Sequence, residues 1–268
     1  MIRRILTAAI LIPFVLLSLL VFPLAGFILV LNVMLFLALR EFSRLGSITG
    51  EGLYPSSYGL ALVAPWITGY VPSLAGPYLL GAILITLGWC IFSSHEVKKA
   101  FSTVSGNILA LVYLAIPFSL IATYHAAPPS GGNLDRPKEL ILVMILVWIS
   151  DAAAFFVGRA LGRHRITPSI SPNKTLEGYL AAVIFPITAA LLLGGYFLPG
   201  KSFAFLLAVG FVTSVAGALG DLFESSLKRG AEIKDTSNLI PGHGGILDRI
   251  DSLLFAIPAY CVLSLVWA

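Results

Sequence analysis

In the segment GALGDLFESSLKRG, Asp221, Glu224, Ser225 and Lys228 stand at i, i+3, i+4 and i+7. Those offsets fall on one face of a helix. Further on, Asp248 and Asp251 stand at i and i+3 where the last apolar run begins. Acids in a first helical turn can simply complement the helix dipole, which suits Asp251 better than Asp248. Asp221 has no such explanation, because it closes an apolar helix at the end where an anion is disfavoured. Carboxylates gathered at two helix ends suit a hard cation. Oxygen donors with water positions to spare favour Mg2+ over zinc, since cysteine is absent from the region and His243 is the one imidazole nearby.

A metal among cations and glycines points to phosphate. Lys228, Arg229, Lys234 and Arg249 surround the turn IPGHGG, where Gly242, Gly244 and Gly245 let the backbone approach a ligand and aim N–H groups at it. His243 either donates to a phosphate or braces the turn. A second basic element, RITPSISPNKTLEG, reads as a loop entering a helix, with Ser171 as N-cap, Pro172 at the first helical position and Lys174 in the first turn. A helix N-terminus carrying a lysine is an anion site. Three look-alikes fail. Ser171–Lys174 matches S-x-x-K without its companion motifs, His243–Gly245 has no G-x-S-x-G elbow, and Lys174-Thr175 lacks the leading glycine of a P-loop.

The elements that position these groups follow from composition. The chain has 268 residues, is 58% hydrophobic and only 11% charged, and still collects six acids and four cations between Asp221 and Asp251. Soluble domains are about one quarter charged, so this balance indicates a membrane protein. Apolar runs of spanning length recur throughout. We read an all-α, polytopic integral membrane protein of about nine transmembrane helices, over about 5–21, 24–39, 55–71, 76–93, 105–126, 139–158, 179–198, 202–220 and 252–267. With the N-terminus cytoplasmic and the C-terminus outside, 14 of 17 lysines and arginines fall on inner loops, leaving only Arg136, Lys138 and Lys201 outside. The site then lies on the cytoplasmic side of the cell membrane. The net charge of +4 reflects this topology and is no nucleic-acid signal. Residues 1–130 form N-terminal spans suited to a lipid entrance or subunit interface, and 131–268 form the catalytic region. An odd span count permits a homodimer without requiring one. Asp151, deep in the sixth span, is a functional candidate because a charge there faces a cavity or a partner. Ala154, Gly158 and Gly162, four apart, mark close helix packing. Cys90 and Cys261 lie in apolar runs and suggest buried, inert thiols.

The run Ser225–Arg229, Lys234-Asp235, Ser237, Ile240-Pro241, His243–Ile246 and Asp248–Asp251 resembles the signature of the phosphatidate cytidylyltransferase (CDP-diacylglycerol synthase) family. It shows no departure over those 27 residues, and SPNKTLEG, GDLFES and the acid before A-x-x-x-G-R in the sixth span are also similar. The resemblance covers about 140–251. It implies a membrane nucleotidyltransferase of phospholipid biosynthesis that joins CTP and phosphatidate with Mg2+, releasing pyrophosphate. Both substrates are anions, and phosphatidate enters from the bilayer. On this reading Asp221 and Asp248 hold Mg2+, with room for a second cation. Asp251 and Glu224 are further candidates as ligands or as partners of the ligands. Lys228, Arg229, Lys234 and Arg249 bind phosphates, while Lys174 with the Ser171 and Thr175 hydroxyls forms a second clamp. Phosphatidate is already an oxyanion, so the chemistry is positioning and charge stabilisation. A transporter lacks support in this one-sided charge pattern, and a CDP-alcohol phosphotransferase would need a D-x-x-D-G-x-x-A-R run that is absent. A cytidylyltransferase for another lipid phosphate is the nearer alternative.

Overall fold

A computed structural model describes residues 2–49, 52–93, 97–128, 135–167, 170–240 and 244–267. Among these the chain is helical, with only two isolated β-bridges, Arg165 to Thr175 and Ile240 to Gly244. The helices are α1 (Ile2–Val21), α2 (Leu24–Thr49), α3 (Pro55–Tyr70), α4 (Ala75–Ser93), α5 (Val97–Ala110), α6 (Ile116–Ala126), α7 (Arg136–Leu161), α8 (Leu176–Phe197), α9 (Phe203–Gly230), α10 (Leu247–Ile250) and α11 (Leu253–Val266). A π-helical turn, Leu111–Ala115, joins α5 to α6. Seven stretches among the described residues are long and apolar enough to cross a membrane. The apolar part of α1 is shorter, Ala9–Val21, and α3 has 16 residues. Large apolar side chains stand exposed along the helices, as at Phe156, Leu192 and Leu265. In a membrane-spanning protein such faces meet hydrocarbon, where every backbone group must be satisfied within its own helix.

The chain divides into two compact units. One takes the chain up to Ala126 together with Leu227–Ile250. Its core lies where α2, α3 and α6 pack, around Leu35, Leu39, Phe42 and Leu114. Asn107 ties the elements, its side-chain oxygen accepting from the Tyr54 amide at 2.9 Å and the Ser57 hydroxyl at 2.7 Å.

The other unit takes Ala127–Ser226 and Asp251–Ala268. Its main pairing, α7 on α8, runs through the small residues that the four-residue spacing singled out. A β-carbon on Gly178 would stand 2.9 Å from the Ala154 carbonyl and 3.3 Å from the Gly158 α-carbon. Backbones this close exclude any side chain, as small-residue seams between membrane helices do. Cys261 is a buried, free thiol. In the same unit Tyr260 of α11 donates at 2.5 Å to Glu139 of α7, itself 3.5 Å from Arg136. All three side chains are buried. Hydrogen bonds to charged groups contribute about 1.5–3 kcal/mol, and an acceptor stranded by deletion adds its own desolvation cost. Tyr260→Phe is therefore expected to destabilise the protein by about 2 kcal/mol, seen as a lower melting temperature in detergent. No change would show that Glu139 is satisfied without this phenol.

Several boundaries differ from the sequence expectation: α2 runs to Thr49 where about 39 is expected, α5 starts at Val97 where about 105 is expected, and two further differences touch the site residues. Helix α9 does not end at Asp221 but runs on to Gly230, which places Asp221 more than two turns inside it. The polar residues that follow Asp221 keep the face periodicity and simply carry the helix onward. The last apolar run also does not start as one helix. Asp248 sits in the short α10, whereas Asp251 lies in a turn before α11, its Oδ1 accepting from the Ser252 amide at 2.6 Å.

Candidate active site

Within the first unit, signature residues of 228–240 and 244–248 converge on two carboxylates. The C-terminus of α9 closes with Ala231 N–H on the Leu227 carbonyl and Ile233 N–H on that of Lys228. Glu232 takes a positive φ of 56° in this closure. The turn directs Lys228 at Asp248, with Nζ 2.7 Å from Oδ1. The other oxygen, Oδ2, accepts from the Thr236 amide at 3.1 Å, the Thr236 hydroxyl at 2.9 Å and the Gly245 amide at 2.8 Å. Only 4% of the Asp248 side chain is exposed. One oxygen thus fixes the loop, and the other faces a lysine.

The second carboxylate is Glu41, from α2, which the sequence reading assigned no role. It is buried, and its Oε1 accepts from the Ser237 hydroxyl at 2.6 Å and the Ile246 amide at 3.0 Å. Its Oε2 accepts from the Leu247 amide at 2.9 Å and lies 2.9 Å from the Thr236 hydroxyl. Gly245 has to be glycine for this reason: a β-carbon there would collide with the Thr236 hydroxyl and the Glu41 carboxylate. The close approach that the glycines anticipated is, at Gly245, an approach to the protein's own side chains. Gly244 adopts φ +82°, a left-handed conformation, and its carbonyl accepts from the Ile240 amide at 2.9 Å.

Within the second unit, Lys174 and Asp221 form an ion pair at 2.6 Å, with the lysine side chain 19% and the aspartate 37% exposed. Ser225, one turn on, lies 3.5 Å from Asp221 Oδ1. The SPNK segment and the acidic face of α9 therefore meet. Thr175, not Ser171, caps α8: its hydroxyl accepts from the Gly178 amide at 3.3 Å. Ser171 instead closes a turn over Pro172 and Asn173, its carbonyl accepting from the Lys174 amide at 3.2 Å. Glu177 ties the preceding loop down, accepting from the Arg163 and His164 amides and facing the His164 Nδ1 at 2.7 Å.

The remaining candidates are placed as follows. Glu224 is fully buried in α9. Arg229, Lys234 and Arg249 are exposed, and Arg229 donates to the Ile233 carbonyl at 3.3 Å. The Asp251 carbonyl packs against Gly220, where a β-carbon would collide with it. Asp151 is exposed on α7. His243 and Gly242 lie outside the described residues.

Magnesium takes oxygen donors, needs only one or two carboxylates, and keeps water and substrate phosphate in its other positions. No three His, Cys, Asp or Glu side chains gather among the described residues. The donor chemistry fits the ion all the same. Asp221 is accessible, and among the described residues its Oδ1 bears only the long Ser225 contact. Asp248 offers Oδ1, now facing Lys228.

A cytidylyltransferase family model matches residues 2–267. The chain belongs to the cytidylyltransferase family. It is 34% identical to a phosphatidate cytidylyltransferase of Bacillus subtilis (strain 168) over 189 residues, 69% of this chain and 67% of the relative. A Staphylococcus haemolyticus protein of the same description is 29% identical over 231 residues, 85% of each chain. One from Staphylococcus aureus (strain COL) is 29% identical over 240 residues, 87% of each. As a cytidylyltransferase, this chain is a nucleotidyltransferase.

Proposed function

We propose that this membrane cytidylyltransferase transfers the cytidylyl group of CTP to phosphatidate, giving CDP-diacylglycerol. A phosphate oxygen of phosphatidate attacks the α-phosphorus of CTP. The bond from that phosphorus to the oxygen bridging it to the β-phosphate breaks, and pyrophosphate leaves. The observation that carries this reading is the pairing of each key aspartate with a lysine of the same motifs, Lys228 with Asp248 and Lys174 with Asp221. Two anions must meet for the reaction to occur, so the cations have to be held ready and yet be releasable. A lysine parked on a carboxylate meets both needs. When phosphate arrives, the ammonium turns to it and frees a carboxylate oxygen.

Asp221 and Asp248 are the proposed holders of Mg2+, an assignment that rests on their oxygen chemistry and on the resemblance of the GDLFES segment and the Ser225–Asp251 run to the family. The ion would neutralise phosphate charge and polarise the α-phosphorus when bound. Arg229, Lys234 and Arg249 are exposed and supply further phosphate contacts, joined by His243. The nine-span topology, with the N-terminus and the site cytoplasmic, has the support of the asymmetry of 14 cations to three. That side also holds the soluble nucleotide.

The test is direct. The purified protein in detergent, given labelled CTP, phosphatidate and Mg2+, should produce labelled lipid and pyrophosphate in equal amounts. Movement of solute across vesicles without that product would overturn the reading in favour of a transporter. Lys98, which lies outside the signature, serves as a control. Lys98→Gln is expected to leave turnover within about twofold, since substitutions away from a site change little. A loss as deep as that of the aspartate variants would erase the distinction between site charges and topology charges.

A further inference from the structure

One hydroxyl stands between two carboxylates. Thr236 Oγ1 lies 2.9 Å from Glu41 Oε2 and 2.9 Å from Asp248 Oδ2. A threonine has a single hydroxyl hydrogen, so it can serve only one of them at a time. Asp248 Oδ2 also accepts from two backbone donors, the amides of Thr236 and Gly245. Glu41 holds the same loop from the other side through Ser237, Ile246 and Leu247. These bonds join residues about two hundred positions apart, and the side chains of Glu41 and Thr236 are buried. In such surroundings, an arrangement of hydrogen bonds is stiff and its members act on one another.

We infer that Glu41 is a positioning residue for cytidylyl transfer: it seats the signature loop and, through the Thr236 hydroxyl, sets the orientation of Asp248. The inference rests on the proposed activity and extends it by giving an N-terminal helix a part in the reaction. Glu41 touches no reacting atom in this account. It acts by fixing where Asp248 Oδ1 and the Gly244-Gly245 backbone stand. Its four partners all donate, or can donate, toward it. A glutamine offers one acceptor oxygen in place of two, so it cannot satisfy them, although it has the same shape. The loop would persist but lose its register by a fraction of an ångström to an ångström. Misplacement on that scale costs about a hundredfold when positioning is the source of rate.

The experiment compares wild type, Glu41→Gln, Thr236→Val and the double variant as full-length protein in detergent. It measures kcat, the KM for CTP, and the rise in melting temperature produced by CTP with Mg2+ in the absence of phosphatidate. Glu41→Gln is expected to lower kcat by about 10- to 100-fold in protein that still melts cooperatively. The KM for CTP should change much less, and CTP should still raise the melting temperature. Thr236→Val removes the shared hydroxyl alone and should lower kcat in the same direction. The double variant should be no worse than the poorer single one, because both act through one junction. Full kcat in folded Glu41→Gln, or losses that multiply in the double variant, would overturn the inference. If Glu41→Gln does not fold, unchanged kcat in Thr236→Val overturns it alone. Failure of the wild type to make labelled lipid is a different outcome, and it sinks the proposed activity together with this extension.

Discussion

Asparagine in place of Asp248 is expected to lower cytidylyl transfer at least about a thousandfold, as loss of a preorganised charge at a reacting centre does. The protein should still insert and fold. The two oxygens of Asp248 have separate duties, which makes the substitution informative. Oδ2 takes the Thr236 amide and hydroxyl and the Gly245 amide, and an asparagine oxygen placed there keeps all three. Its amide group then faces the Lys228 ammonium, donor against donor, where Oδ1 had been 2.7 Å away. The loop therefore survives while the lysine loses its counter-ion and any divalent ion loses a ligand. Removing the carboxylate from a lysine whose side chain is only 13% exposed also costs stability. A second variant separates the two effects. Lys228→Met with Asp248→Asn removes the ammonium that would face the new amide, so it should regain melting temperature without regaining turnover. Recovery of turnover in that double variant would mean that Asp248 serves only to neutralise Lys228, and the magnesium assignment would fall.

Much of this arrangement could be read from the residues alone. The apolar runs located the helices, because lipid leaves the backbone no alternative to helix, but not all of their ends: α2 and α9 run about ten residues past the apolar stretch, to Thr49 and Gly230, and α5 starts early, at Val97. The i, i+3, i+4 spacing from Asp221 predicted the shared face that Ser225 and Asp221 display. Ala154 and Gly158 announced the α7–α8 seam. What escaped was whatever depends on distant partners. Glu41 sits in FLALREFSRL between Arg40 and Arg44 and reads as one more charge at a helix end. Nothing local says that its partners are Thr236, Ser237, Ile246 and Leu247. A buried acid flanked by exposed arginines where an apolar run ends was the available signal, and burial is not visible in sequence. The cap of α8 was missed for a nearer reason. Ser171 and Thr175 are both good N-caps, each four residues or fewer from a lysine, and the turn over Pro172 and Asn173 decided between them.

The pair in the second unit gives the second large effect. Lys174→Met is expected to reduce kcat/KM about a hundredfold and Asp221→Asn by at least as much, through different parameters. Loss of Lys174 should weaken the capture of a phosphate-bearing substrate and appear mainly in KM. Loss of Asp221 should raise the Mg2+ concentration needed for half-maximal rate and lower kcat at saturation. Folding cannot account for changes of this size. The pair is partly exposed, at 19% and 37% of the two side chains, and such ion pairs contribute about 0–1 kcal/mol. A hundredfold is about 2.7 kcal/mol, well beyond what breaking the pair removes from stability. If the aspartate and lysine served only each other, both single variants and the double would lose less than about 1 kcal/mol of stability and keep turnover within severalfold. That result would make Lys174–Asp221 a structural tie between the turn before α8 and α9, and the magnesium and the phosphate clamp would have to be sought among other residues.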